Sequence, residues 1–314
     1  MDHDAYVRYI ILKEFGTKPL SIIRMKVGLC NEVYKVKIEK NKKVVVRLNK
    51  DESSLKGSDK FIPLFKSKEI NVPIILAKDY SKKIVPYAYQ VLTEIEGEDI
   101  GKVIDKLNKK QLGLIAKEIS FIINKLKVIS TNGKFGYVGY ESKNLFSSWT
   151  KEMQRHINTM ISRGEKTGVL DNQKIKFLHQ IFEENRSYFD KVDSIFYYDD
   201  MSSKNVMIKD GKFTGLVDLD GVSFGDYLEA IGRIKASWYG TKNGDYYTKC
   251  VIEEQKLNKY QVKIVTMYAL LHSIYWMCEN GIQFNANTKN VVNKSQLKKD
   301  LERVEKLTIK YRGM

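Results

Sequence analysis

The hydrophobic period of this chain changes near Gly97. Before it, VYKVKI and VVVRL, within residues 25–50, are β-branched and partly alternating, and the polar EKNKK between them supplies a turn. That segment reads as a hairpin preceded by Gly28, and residues 71–97 read as two or three further strands. Helices are expected over residues 4–16, ending at Gly16 as a C-cap, and around 57–68. Beyond Gly97, residues 109–129 are strongly amphipathic, and helical patterns follow at 148–162, 171–189, 226–239, 255–279 and 294–310. The expectation is an α+β, two-lobed chain with a small β-rich lobe, 1–95, and a large mainly helical lobe, 96–314. A length of 314 residues is enough for both lobes.

The net charge is +16, but the lysines are spread along the chain, and neither an RNP-type aromatic motif nor a zinc finger accompanies them. The charge therefore reads as a Lys-rich surface, with no nucleic-acid partner expected. Three cysteines, Cys30, Cys250 and Cys278, form neither a disulfide framework nor a zinc pattern and suit a reducing compartment. The N-terminal residues break their apolar run with charges, so no signal peptide is expected. No window reaches the length of a membrane span. A cytoplasmic protein, monomeric or weakly dimeric, is the expectation.

The passage FYYDDMSSKNVMIKDGKFTGLVDLDG, residues 196–221, interrupts the helices with strands. Residues 194–198 form a short strand, Asp200 follows it on a loop, and Asn205 opens a hairpin turning at Asp210-Gly211. Asp218 ends the returning strand, so Asn205 and Asp218 meet at the same end. Two hard oxygen ligands with a third carboxylate nearby suit Mg²⁺ carried by nucleotide phosphates. In kinases a base Asp precedes an Asn metal ligand by five residues, and a second Asp ligand follows on the next hairpin. Asp200, Asn205 and Asp218 have that spacing and setting.

With these residues in view, the sequence resembles the aminoglycoside phosphotransferase family, small-molecule kinases on a protein-kinase-like fold. YDDMSSKN, VDLDG and Phe224-Gly225-Asp226 stand for the family's H-G-D-x-x-x-x-N, I-D-x-D and Gly-Asp elements, and the hygromycin-type members look nearest. The resemblance implies phosphoryl transfer from ATP or GTP, with Mg²⁺, to a hydroxyl of a small molecule. Asp200 would be the catalytic base, and Asn205 and Asp218 the metal ligands. Arg47, in VVVRL, would pair phosphate oxygens where protein kinases use a strand lysine. Its acidic partner is expected on the next helix, with Asp59 ahead of Ser58. Gly28 and Asn31, in GLCNEVYKV, would belong to the phosphate-covering turn, and Thr93, Glu94 and Ile95 would present backbone groups to the purine. The family's usual His is Tyr198 here, which could support the loop through its hydroxyl. Asp220 reads equally as a support for the site or as a surface turn.

For the acceptor, Asp199, Asp226, Glu229 and Glu279, with aromatic neighbours such as Tyr275 and Trp276, would suit an amino sugar or quaternary amine. Asp226 also reads as a brace for the loop, and His272 as a packed histidine. An aminoglycoside or aminocyclitol is the leading acceptor. The alternatives are a metabolic kinase for choline, homoserine or a thio-sugar, or a nucleotide-binding protein without turnover.

Overall fold

The computed structural model describes residues 3–25, 31–141, 144–284 and 288–314. Helix α1 (His3–Phe15) is followed by strands β1 (Ser21–Met25), β2 (Glu32–Glu39) and β3 (Lys42–Asn49), helix α2 (Ser53–Ser67), and strands β4 (Ile75–Asp79) and β5 (Ala88–Thr93). The five strands form one antiparallel sheet in the order β1-β2-β3-β5-β4. Alternation in β2 turns Tyr34, Val36 and Ile38 to one face, where they meet Val44, Val46 and Leu48 of β3 and Val7, Ile10 and Ile11 of α1. Burying each such side chain contributes roughly 1.5–3 kcal/mol, so α1 is held by the sheet it covers. Arg47 lies on the central strand, opposite Val33 and Gln90, and is no edge residue.

Helix α2 runs through Pro63 to Ser67, and its Phe61, Ile62 and Phe65 join the core of the large lobe. At Gly57 the helix rests directly on the other lobe. A β-carbon there would sit 1.8 Å from the backbone oxygen of Asp220. The chain leaves the sheet through residues 94–97. Gly97, at φ +118°, passes so close to Ile208 that a β-carbon would lie 2.3 Å from that carbonyl oxygen.

The large lobe begins with β6 (Glu98–Asp99), α3 (Ile100–Val103), a 3₁₀ turn at Ile104–Lys106, and α4 (Lys109–Leu126). Then come β7 (Gly136–Val138), α5 (Trp149–Thr167), α6 (Asn172–Phe189), β8 (Ile195–Tyr197), β9 (Val206–Lys209), β10 (Lys212–Leu216) and β11 (Val222–Gly225). Helices α7 (Leu228–Trp238), α8 (Lys242–Glu254), α9 (Lys259–Glu279) and α10 (Lys294–Arg312) complete it. Capping boxes start α4, at Asn108 and Gln111, and α9, at Asn258 and Gln261, satisfying backbone donors that would otherwise be orphaned. Most of α9 from Ile264 to Ile274 is buried, as expected of a helix apolar on nearly every side.

Two features depart from the sequence reading. The segment 242–254 is a separate helix, and the helix expected from 255 starts at Lys259. Gly244 and the polar start of α8 dilute its periodicity. Strands β6, β7 and β11 are two to four residues long, too short to display a period of two. Among the described residues, the large lobe therefore holds two three-stranded sheets, ordered β10-β9-β6 and β7-β11-β8. Among the described residues, no helix is long and apolar enough to cross a membrane.

Candidate active site

The loop after β8 carries Asp199 and Asp200, and β9 and β10 form the hairpin that follows. Asp210 and Gly211 both have positive φ at its turn, and Val206 pairs with Leu216 at its open end. The Val217 N–H donates to the Asn205 carbonyl at 3.0 Å, which brings Asn205 and Asp218 to the same end. Asn205 is buried, and its Nδ2 donates to the Asp200 carbonyl and to the Tyr198 hydroxyl, both at 3.2 Å. With the amide nitrogen so used, Oδ1 is left as the acceptor.

Tyr198 is the brace of this loop. Its ring is buried edge-on against Phe65, with centroids 5.8 Å apart. Its hydroxyl proton is shared between the carbonyl oxygens of Val217 and Asp218, at 3.1 and 3.0 Å. Burial, reinforced by the charges of Asp200, Asp218 and Asp199, pushes the phenol far above its ordinary value, so it stays neutral.

Arg47 reaches across the cleft to the end of β10. Its guanidinium donates to Asp218 Oδ1 at 3.0 Å and to both oxygens of Asp220, one of them at 3.0 Å. The partner of Arg47 is therefore on neither expected position. Asp59 pairs instead with Lys78 at 2.8 Å and with Tyr80, and Ser58 donates to Gln90 and the Leu55 carbonyl. Asp220 is no surface turn. It takes the Arg47 fork and also a bond from Asn31 Nδ2 at 3.1 Å. Asn31 in turn accepts from Asn49. Asp218 has φ +64°, an uncommon conformation for a non-glycine residue, and its carboxylate meets Arg47 from the end of β10. Its deep position, with Asp220 and Asp200 alongside, pushes its carboxyl up to about 7 against the pull of Arg47. About half of that side chain still meets solvent, and water softens the repulsion from its neighbours.

At the hinge, Thr93 is tied to Ile74 by two bonds, the Thr93 N–H donating at 2.9 Å and its Oγ1 accepting at 2.8 Å. Glu94 binds Lys35 at 3.0 Å and approaches Lys43. Among the described residues, the Ile95 N–H has no backbone partner. Gly28 lies outside the described residues.

On the acceptor side the expected acids are already engaged. Arg233 of α7, which the sequence reading did not single out, donates to Asp199 and lies 2.8 Å from Asp200 Oδ1. Glu229 sits 2.7 Å from His272 Nε2. Burial works to raise the Glu229 carboxyl, yet His272 and Arg233 hold it below its usual range. Glu279 pairs with Arg163 of α5 at 3.2 Å. His156 stacks on Tyr275, with centroids 4.7 Å apart, and burial lowers its pKa to about 3. Asp226 is buried behind the loop and accepts from Tyr188, from Tyr268 at 2.9 Å and from the Leu228 N–H at 3.0 Å. It ties the start of α7 to Tyr188 and Tyr268 in the core, the bracing role the sequence also offered. The one clue to Arg233 in the sequence is its spacing of four from Glu229 on a helix, which puts both on one face.

The model of the phosphotransferase enzyme family matches residues 21–248. No curated protein matches the chain by sequence. Among solved structures, the chain is similar to a thermostable mutant of aminoglycoside phosphotransferase APH(4)-Ia in ternary complex with AMP-PNP and hygromycin B. The TM-score is 0.72 and the identity 13%, covering 96% of this chain and 97% of that one. It is also similar to the GDP complex of wild-type aminoglycoside 2'-phosphotransferase-IIIa, with TM-score 0.72, 13% identity and 99% of both chains covered. A third is the streptomycin–ATP–APH(2'')-IIa ternary complex, with TM-score 0.66, 16% identity, and 98% and 97% of the chains covered.

Proposed function

The chain belongs to the phosphotransferase enzyme family, small-molecule kinases that act on hydroxyl groups, and we propose that it moves the γ-phosphate of a purine nucleoside triphosphate to a small polar acceptor with the help of Mg²⁺. What supports this reading most is the convergence of Asp200, Asn205 and Asp218 at one end of the β9–β10 hairpin, opposite Arg47. We keep residues 1–95 as the nucleotide-binding lobe and 96–314 as the catalytic lobe, with α2 packed into the core of the second. We also keep the cytoplasm as its place.

Asn205 Oδ1 and the Asp218 carboxylate are hard oxygen donors of the kind Mg²⁺ takes, and the amide orientation of Asn205 is fixed by the bonds of its nitrogen. Among the described residues no three His, Cys, Asp or Glu side chains cluster around one site. Two protein oxygens with nucleotide phosphates suit the ion, which when bound neutralises phosphate charge. Arg47 would pair phosphate oxygens, held in place by Asp220. The Ile95 N–H and the neighbouring carbonyls of Thr93 and Glu94 would meet the purine edge. Asn31, beside the cleft, would help position the turn.

In the step itself the acceptor oxygen bonds to the γ-phosphorus as the bridging oxygen to the β-phosphate departs, and Asp200 takes the hydroxyl proton. Catalysis is positioning and charge neutralisation. Two of the similar structures hold hygromycin B or streptomycin, and by analogy an aminoglycoside or aminocyclitol acceptor would make this a resistance enzyme. The pairing of Asp199 with Arg233 and of Glu279 with Arg163 takes up two acids that an amine would need, which favours the second reading, a metabolic kinase, in its thio-sugar form, the one alternative without an ammonium group. A phosphate-transfer screen over amino sugars, choline, homoserine and sugars tests the proposal. Transfer that vanishes in Asp200→Asn, with nucleotide binding kept, is the expected result. Equal transfer by that variant would sink the mechanism.

A further inference from the structure

Asp200 is held by its main chain and by one of its two carboxylate oxygens. Asn205 Nδ2 donates to the Asp200 carbonyl at 3.2 Å. Oδ1 lies 2.8 Å from a terminal nitrogen of Arg233 and accepts from Ser202 Oγ at 3.3 Å. Among the described residues Oδ2 has no hydrogen-bond partner, and 35% of the side chain is exposed. The other terminal nitrogen of Arg233 donates to Asp199, the residue standing where the family pattern has glycine. Arg233 Nε is buried and, among the described residues, unpartnered, so both close contacts of the guanidinium are on the catalytic loop. Burial works against the charge of Arg233, but Asp200 and Asp199 outweigh it and keep the guanidinium charged. Its helix is a firm mount. At Gly232, α7 comes so near α9 that a β-carbon would lie 2.4 Å from that of Tyr268, and Asp226 binds both the Leu228 N–H and the Tyr268 hydroxyl.

A carboxylate turns easily about its last bond, where the torsion is broad and nearly two-fold. Without an anchor, Asp200 would offer either oxygen over a range of directions. Phosphoryl transfer depends on placement, and an error of about 1 Å can cost about 10²-fold in rate. Resting on the kinase reading above, we propose that Arg233 is a positioning residue for the transfer. It clamps Asp200 through Oδ1, with Asp199 as its second seat, so that Oδ2 receives the acceptor proton. That oxygen gains the proton as the acceptor oxygen bonds to the γ-phosphorus and the bond from phosphorus to the bridging oxygen breaks.

A double-mutant cycle between Arg233 and Asp200 tests this, with ATP and Mg²⁺ as donor and, as acceptor, water or whichever amino sugar, sugar, choline or homoserine takes phosphate. Arg233→Met is expected to lower kcat about 10²-fold, while nucleotide KM and AMP-PNP affinity by calorimetry hold. Arg233→Lys keeps a cation beside both acids but lacks the fork, and should recover part of that loss. Asp200→Asn should absorb the effect. Adding Arg233→Met to it should cost less than about threefold more, because residues that act as a unit are not additive. The same cycle with Arg233→Lys carries the test if Arg233→Met does not fold. Unchanged kcat in both Arg233 variants would overturn the proposal. So would a loss as large in the Asp200→Asn background as in the wild-type one, or a fall in AMP-PNP affinity matching the fall in kcat. No transfer by the wild-type chain to any of these acceptors would be a different result, overturning the kinase reading and this inference with it.

Discussion

The side-chain amide of Asn205 donates to the phenol oxygen of Tyr198 at 3.2 Å, so a candidate metal ligand is oriented by the residue that replaces the family's usual histidine. Tyr198→Phe keeps the ring against Phe65 and removes only the hydroxyl. The Asn205 amide then loses one partner, as do the carbonyls of Val217 and Asp218. Leaving buried polar groups unpaired costs about 1–3 kcal/mol. The expected result is a lower melting temperature and a higher Mg²⁺ concentration for half-maximal activity, with nucleotide KM little changed. Activity measured across a Mg²⁺ titration checks this, and an unchanged titration would remove Tyr198 from the metal site.

Asp200→Asn keeps shape and most contacts but cannot take a proton. Loss of a positioned general base costs about 10²–10⁴-fold in rate. Single-turnover transfer should fall by that range while AMP-PNP affinity measured by calorimetry holds.

These three positions were legible because they are local. A strand, a five-residue step and one hairpin with an Asp-Gly turn bring them together within residues 195–218, and short-range spacing carries that information. The partner of Arg47 was not legible. Asp220 is 173 residues away, and its approach depends on how α2 and the sheet rest on the other lobe. Asp59 looked right only because it follows Arg47 on the next helix. The same holds for the acceptor side, where acids were visible but their cations were not. Arg163 and Arg233 lie on helices whose facing sides are set by packing against α9.

Arg47 is buried between the sheet and two carboxylates, so removing it leaves Asp220 with a charge and little water. Breaking a buried pair by deleting one member typically destabilises by about 3–5 kcal/mol. Arg47→Met should lower the melting temperature sharply and raise nucleotide KM. Arg47→Met with Asp220→Leu should recover stability but not KM. Thermal unfolding and initial rates of all three proteins separate the two roles. Recovery of KM in the double variant would mean that Arg47 does not serve the phosphates.

Metal binding should release protons below neutral pH. The Asp218 carboxyl is pushed up to about 7, and Mg²⁺ needs it ionised. A raised carboxyl favours the metal-free fold at low pH, and this contribution is lost as pH rises through the folded value. The Mg²⁺-bound form gains in the opposite direction. Apparent Mg²⁺ affinity in the presence of AMP-PNP should therefore weaken from pH 8 to pH 6, in a manner absent from Asp218→Asn. Calorimetry in buffers of different ionisation enthalpy reads the released proton directly.

Lys235 is buried in α7 with its ammonium donating to Thr266 Oγ1 at 2.8 Å, and burial lowers its pKa to about 8. A lysine lowered in the fold penalises folding fully below its folded value, and the penalty fades as pH rises toward the unfolded value of about 10.4. Lys235→Met removes the buried charge and should stabilise the chain at pH 7 by on the order of 2 kcal/mol. The advantage should shrink by pH 10. Melting curves at both pH values test it, and a destabilised variant at pH 7 would assign Lys235 a packing role that its charge does not explain.

Gly57 places the backbone of α2 against the carbonyl of Asp220 with no side chain between them. Contact between two backbones has no rotamer to absorb movement, so it behaves as a bearing surface. One methyl group at residue 57 would act as a shim there, lifting the helix from the loop whose charges it steadies.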